Sequence, residues 1–353
     1  MTISVLVVDD SALIRQLLGE MIKTAPGFRL VGTANDAYQA RDLVNQHAPD
    51  VITLDIEMPK MDGLSFLQLL MKARPTPVVM VSTLTERGAD ATLQALELGA
   101  VDFLAKPKVD IVAGIEAYKS ELLDKLRAAA EAGPAMRRSG AKRPQARAVT
   151  TGLSVKGTEH LLAIGASTGG TEAIRALLEA LPLSMPGIVI TQHMPPGFTR
   201  SFAERLDRLC RLRVSEAKDR ERILPGYVYI APGGQHLLVE RSGADLICRL
   251  SDGEPVSRHK PSVDVLFGSV ASVCGSSATG VILTGMGKDG ADGLVGMHDR
   301  GARTFAQDEK SCVVFGMPRV AIEAGAVDTV ASLDDLPELI VDHLKSVCRG
   351  NRI

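Results

Sequence analysis

The chain has 353 residues, of which 45% are hydrophobic and 23% charged, and its formal net charge is −2; this is the composition of a globular protein with enough chain for two cores. So even a balance gives no electrostatic reason to expect nucleic acid or a membrane surface as the main partner. Five cysteines, scattered and never spaced as CxxC, argue against a disulfide framework or a zinc site and for a reducing, cytoplasmic setting.

No basic leader precedes the first apolar run, and Asp9 and Asp10 end it, so neither a signal peptide nor a membrane span is expected. In chain order, ISVLVV, RLVGTA, DVITLD, PVVMVS and VDFLA read as strands. Between them run helical stripes such as Leu13, Ile14, Leu17, Leu18, Met21 and Ile22. Five such units predict a parallel sheet with helices on both faces. Ligands of open parallel sheets bind beyond the carboxyl ends of the strands, and that is where Asp9, Asp10, Asp55, Ser82, Thr83 and Lys106 fall. Either Asp9 or Asp10 alone could simply cap the helix starting near Ser11. As a set, the carboxylates would repel one another unless a cation or proton neutralised them, and a hard-oxygen cluster with open positions suits Mg²⁺.

Residues 127–158 lose the apolar periodicity and gain Gly, Pro, Ala and a basic run from Arg137 to Arg147, which reads as a linker. Alternation resumes at 159, with HLLAIG, GIVITQ, TGVILTG and ARTFA as strands and Phe198, Phe202, Leu206 and Leu209 as a helical stripe. The segment YVYIAPGGQHLLVERSGADLICRL predicts short strands joined by glycine turns, an antiparallel hairpin inserted in or at the edge of the second sheet.

The loop after HLLAIG holds Ser167 between Gly165 and Gly169, a G-x-S-x-G pattern. A dinucleotide fingerprint needs G-x-G-x-x-G and an acid after the next strand, where Gln192 and His193 stand instead; a P-loop needs Gly-Lys-Ser/Thr, but TGMGKDG lacks it. A serine alcohol becomes nucleophilic when a base takes its proton and an acid orients that base. His193 at a strand end is the favoured base, with His236 and His259 in loops as alternatives. Asp289 and Asp292 are both available as the acid, and either could instead cap the following helix. The order Ser, His, Asp differs from that of ordinary α/β hydrolases, so the pattern does not imply that fold.

With VLVVDDS, DVITLDIEMPKMDG, VVMVST and DFLAKP, the first part resembles the receiver domain of two-component response regulators. The resemblance implies that Asp55 accepts a phosphoryl group, with Asp9, Asp10, Asp55 and the Glu57 carbonyl around Mg²⁺. It also implies that Lys106 senses the phosphate, and that Ser82 and Phe103 are the switch residues drawn inward. AIGASTGG, TQHMPPGFT, YIAPGGQHL, HKPSVDVLF, LTGMGKDGADGL and SCVVFGMPRVAIEAGAVD resemble the catalytic domain of chemotaxis protein-glutamate methylesterases. That implies Ser167 as nucleophile, His193 as base and Asp289 as orienting acid, with backbone N–H groups of Thr168 and Met286 expected to face the oxyanion and no cofactor for ester hydrolysis. The implied substrates are methyl-accepting chemotaxis receptors, demethylated at glutamate γ-esters and deamidated at glutamines. A chemotaxis histidine kinase is the implied phosphodonor; nucleic acid has no part, and the membrane enters only through the receptors. The expected architecture is α/β, two doubly wound parallel-sheet domains. They are a flavodoxin-like receiver over 1–126 and, after a linker over 127–158, a larger catalytic domain over 159–348 with the antiparallel hairpin.

Overall fold

The computed structural model describes residues 2–83, 85–107, 114–139 and 160–350. The chain forms two compact units, Met1–Arg143 and Pro144–Ile353. In the first, β1 (Ile3–Val8), β2 (Phe28–Ala34), β3 (Val51–Asp55), β4 (Val78–Ser82) and β5 (Asp102–Ala105) make one sheet in the order β2-β1-β3-β4-β5, parallel throughout. Helices α1 (Ala12–Lys23), α2 (Ala37–His47), α3 (Gly63–Ala73), α4 (Glu86–Glu97) and α5 (Ile115–Ser139) complete it. Strands β3 and β4 are buried at every position, which is why their sequences run apolar without alternation. The order reverses direction between β1 and β3, so the ends carrying Asp9 and Asp55 flank the crevice where such sheets bind ligands.

Helix α5 continues to Ser139 and takes in residues 127–139, assigned to the linker from the loss of large apolar residues. Its buried stripe passes from Leu122 and Leu126 to Ala129 and Ala132, at helical spacing but with methyl groups in place of larger side chains. Alanine is the strongest helix former, and the helix accommodates Pro134. The remainder of the expected linker, 140–158, with most of its basic run, lies outside the described residues.

The second unit is built on seven parallel strands in the order β14-β13-β12-β6-β7-β9-β8. These are β6 (Leu161–Ala166), β7 (Gly187–Gln192), β8 (Arg213–Glu216), β9 (Tyr227–Ile230), β12 (Ala278–Ile282), β13 (Arg303–Gln307) and β14 (Thr329–Ala331). Helices α6 (Gly170–Ala180) and α7 (Phe198–Leu209) follow β6 and β7, and α8 (Val263–Cys274) precedes β12. After β12 come α9 (Ala291–Asp299), α10 (Met317–Glu323) and α11 (Leu336–Gly350). Phe198, Phe202 and Leu206 of the predicted α7 stripe are buried, while Leu209 at the helix end is 46% exposed.

The hairpin forms, but not in or at the edge of the seven-stranded sheet: β10 (His236–Ser242) and β11 (Asp245–Ser251) make a separate two-stranded antiparallel sheet. The chain leaves β9 through Gly233 and Gly234, the latter at φ +84°. The hairpin then buries Leu237, Val239, Leu246 and Cys248 in one cluster with Leu266, Phe267 and Val270 of α8. A two-stranded ribbon with one apolar face needs such a helix to be stable. Among the described residues, no helix is long and apolar enough to cross a membrane.

Candidate functional site

In the first unit, Ser11 rather than either aspartate is the N-cap of α1. Asp9 accepts from Ser11 N–H at 2.9 Å through Oδ1, and its Oδ2 is buried without a hydrogen bond, compensated by Lys106 Nζ at 3.1 Å. Lys106 also donates to Asp55 Oδ2 at 2.7 Å. Asp9, Asp10 and Asp55 each offer a carboxylate oxygen within 4.8 Å of the others'. Burial, together with the Asp9 charge, pushes the Asp55 carboxyl up to about 6 despite Lys106. Burial also raises Asp9. Burial works against the Lys106 charge, but Asp55 and Asp9 outweigh it and raise its pKa. Two desolvated carboxylates with an unsatisfied oxygen, served by one ammonium, are a donor set suited to a hard divalent cation.

Glu57 donates its backbone N–H to Asp55 Oδ1 at 3.3 Å. With Asp55, Ser82, Thr83, Arg87 and Gly88 it lines a cleft of about 210 Å³. Ser82 Oγ–H donates to the Gly88 carbonyl at 3.2 Å, across the first turn of α4. Phe103 is already buried, at 3% exposure, with Lys125 Nζ 5.7 Å from its ring centre.

The second unit gathers its candidates at three neighbouring strand ends. Strands β6 and β7 end in register at Ala166 and Gln192, so Ser167 and His193 stand side by side, with His193 N–H bonded to Ala166 O at 3.1 Å. The chain reverses sides of the sheet between β6 and β12, and the loop after β12 supplies Asp289. His193 Nε2 and Asp289 Oδ2 are 2.7 Å apart. This leaves Nδ1 of His193, buried and without a hydrogen bond, as the nitrogen open to a proton. Among the described residues Ser167 Oγ makes no hydrogen bond.

Asp289 does not cap α9, whose N-cap is Gly290. Its oxygens face the start of α8 instead: Oδ1 accepts from Ser262 Oγ–H at 2.7 Å and Asp264 N–H at 3.2 Å, and Oδ2 from Val263 N–H at 2.7 Å. Burial alone would raise this carboxyl, but the bonds from His193, Ser262 and Val263 hold it well below the usual carboxylate range. A helix N-terminus with its unpaired N–H groups stabilises such an anion. Asp292 lies in the first turn of α9 and takes no part in this arrangement.

The Ser167 turn is locked by backbone contacts. Gly169 sits at φ +76° where the turn enters α6, a conformation that costs any residue with a Cβ. A Cβ on Gly285 would lie 2.8 Å from Ser167 Cβ and strike Met317 Sδ, so only glycine lets the β12 loop pass against the serine. Ser167 N–H is already committed to Thr284 O at 3.0 Å, and buried Thr284 Oγ1 spans Thr168 O and Val314 O at 3.0 and 3.2 Å. Met286 N–H, next in the same loop, has no acceptor among the described residues.

The other two histidines considered as bases have different surroundings. His236 is 2% exposed and accepts Ser262 N–H at Nδ1 while its Nε2 meets the Glu254 carbonyl; it braces a loop. His259 stacks on His193. Sequence reasoning did not single out Ser262, Val263 or Thr284. The N-cap serine before the apolar run VDVLF was the available signal for Ser262; nothing local marks Thr284.

A family model of CheB methylesterase matches residues 162–340, and one of the response regulator receiver domain matches residues 5–116. A protein of Pseudomonas aeruginosa named protein-glutamate methylesterase/protein-glutamine glutaminase 2 is 56% identical over 353 residues, covering 100% of both chains. One of Methylobacillus flagellatus, protein-glutamate methylesterase/protein-glutamine glutaminase, is 56% identical over 350 residues, 98% of this chain and 97% of its own. Among solved structures, the CheB methylesterase catalytic domain of Thermotoga maritima matches with a TM-score of 0.51 at 39% identity, covering 52% of this chain and 98% of that one.

Proposed function

We propose, from the premise that this chain belongs to the CheB methylesterase family and carries a receiver domain ahead of the family region, that it hydrolyses glutamate γ-methyl esters and deamidates glutamines on chemotaxis receptors. The observation that carries the mechanism is the pairing of His193 Nε2 with buried Asp289, which leaves Nδ1 as the nitrogen open to a proton; His193 follows Gln192 of β7, which is in register with Ala166, the residue before Ser167.

Ser167 Oγ attacks the ester carbonyl carbon as its proton passes to His193 Nδ1. The N–H at Nε2 stays on Asp289, which fixes the tautomer and offsets the imidazolium charge. When the tetrahedral species collapses, the Nδ1 proton goes to the leaving methoxide and methanol departs from an acyl-Ser167. Water, deprotonated by the same nitrogen, then releases the glutamate carboxylate and restores Ser167. With glutamine the leaving group is ammonia, a poorer one, so proton donation by His193 weighs more. Met286 N–H, and that of Thr168, are the donors assigned to the oxyanion; the commitment of Ser167 N–H to Thr284 O supports looking beyond the serine itself.

The receiver regulates this chemistry through Asp55, phosphorylated by a chemotaxis histidine kinase. Mg²⁺, held by Asp9, Asp10, Asp55 and the Glu57 carbonyl, would supply charge neutralisation for phosphoryl transfer. Lys106 remains to pair the phosphoryl group, and Ser82 exchanges the Gly88 carbonyl for it, shifting a two-state equilibrium towards access to Ser167. Methanol release from methylated receptor fragments, with and without a small-molecule phosphodonor and Mg²⁺, tests both parts. Release should rise with the donor and vanish in Ser167→Ala; undiminished release from that variant would sink the mechanism.

A further inference from the structure

The segment from Glu254 to Ser262 is built to hold one ring in place. Buried His236 ties down both of its ends, its Nε2 at 3.0 Å from Glu254 O and its Nδ1 accepting Ser262 N–H at 3.2 Å. Between them Val256 and His259 exchange backbone hydrogen bonds of 3.1 and 2.8 Å. The two residues at the centre of that turn, Ser257 and Arg258, lie at φ +52° and +70°. Neither is glycine, so the left-handed conformation opposes their own side chains and must be imposed by the anchors. Gly234 N–H adds another, to Lys260 O at 3.2 Å. Strain of this kind, held by its surroundings, is a feature of functional sites. What it delivers is the His259 ring lying on the His193 ring, centroids 3.7 Å apart and planes within 12°.

A single hydrogen bond from Nε2 to Asp289 fixes one edge of His193 but leaves the ring able to turn about it. The stacked face removes that freedom and so fixes where Nδ1 points. We propose that His259 is a positioning residue for His193: it holds the imidazole plane for proton transfer, and its aromatic face stabilises the imidazolium that forms. This rests on the reading of His193 as the base at Ser167.

The test uses the full-length chain, methanol release from methylated receptor fragments, and three variants. His259→Ala should lower kcat by about 10- to 100-fold, the scale of a misplaced catalytic group, with KM little changed. His259→Phe, which keeps a flat aromatic face but no titratable nitrogen, should recover most of that loss, and His193→Gln should be inactive. If His259→Ala matches the wild type while His193→Gln is dead, the positioning role is wrong and the triad stands. Equal losses in His259→Ala and His259→Phe also overturn it, because stacking is then not what matters. An active His193→Gln removes the triad reading and this inference with it. Side-chain relaxation of labelled His193 gives a readout independent of turnover: the ring should be rigid in the wild type and His259→Phe and mobile in His259→Ala, and a ring equally rigid in all three would refute the clamp.

Discussion

Two buried aspartates in this chain are pushed in opposite directions by their surroundings. Asp289 is held below the usual carboxylate range by His193, Ser262 and Val263 against the pull of burial. Its ionised form therefore stabilises the fold at pH above the ordinary carboxyl value of about 3.9, and the contribution is lost as the pH falls through the depressed folded value. Acid unfolding of the second unit, followed by circular dichroism, should steepen below about pH 4, and Asp289→Asn should flatten that limb. The same variant should lose activity by on the order of 10³–10⁴, since an amide cannot hold the tautomer. Asp55 behaves oppositely, raised to about 6 by burial and Asp9: the folded state binds its proton more tightly, so stability falls as pH rises from about 4 to about 6. In calorimetry of the full chain, the transition that Mg²⁺ shifts upward should lie higher in Asp55→Asn than in the wild type at pH 7. The two should converge near pH 4. A methyl group is enough to disturb the serine: Gly285→Ala, with its Cβ against Ser167 Cβ and Met317 Sδ, should cost about 1–3 kcal/mol of stability and more than tenfold in kcat.

At the scale of elements, the start of α8 is what makes an ordinary loop aspartate into an anchored one. Ser262 serves twice, accepting from Val265 N–H at 3.4 Å as the N-cap and donating to Asp289 at 2.7 Å. Ser262→Ala should therefore cost about 1–2 kcal/mol as a lost cap and also lower kcat, which chemical denaturation and steady-state kinetics would separate. If stability falls while kcat does not, the bond to Asp289 is only structural. The same reasoning explains where the hairpin went: β10 and β11 are legible as strands from their alternation and glycine turns, but their partner is not. Their apolar face is met by α8, the next element in the chain, and not by a strand of the larger sheet. Helix α5 runs on because small buried alanines carry its stripe, a signal that counting large apolar residues does not register.

For the whole molecule, the proposal of a phosphorylation gate makes a prediction that either unit alone cannot. A folded fragment lacking residues 1 to about 147 should release methanol faster than the unphosphorylated full chain and should not respond to a phosphodonor. An equal or lower rate in that fragment would count against the gate. In the full chain Ser82→Ala should bind Mg²⁺ and accept phosphate yet activate weakly, because the hydroxyl that now donates to Gly88 O is then missing from the switch.

The amino-acid sequence by itself determined the two parallel sheets, the strand ends on which the reactive side chains stand, and the residue types gathered there. These follow from short-range periodicity, in which apolar runs mark buried strands and the residue after each run falls at the binding edge. It left open whether Asp9, Asp10, Asp289 or Asp292 merely capped helices, and which of three histidines faced the serine. Tertiary structure decided both. Ser11 and Gly290 take the N-cap positions, Asp289 turns to α8, His236 braces a loop and His259 lies on His193. The choices that concern Asp289 and the histidines depend on groups far apart in the chain, from 18 positions between His236 and Glu254 to 96 between His193 and Asp289. Hydrogen-bond geometry at that separation is set by how strands and helices stack, which local pattern does not carry.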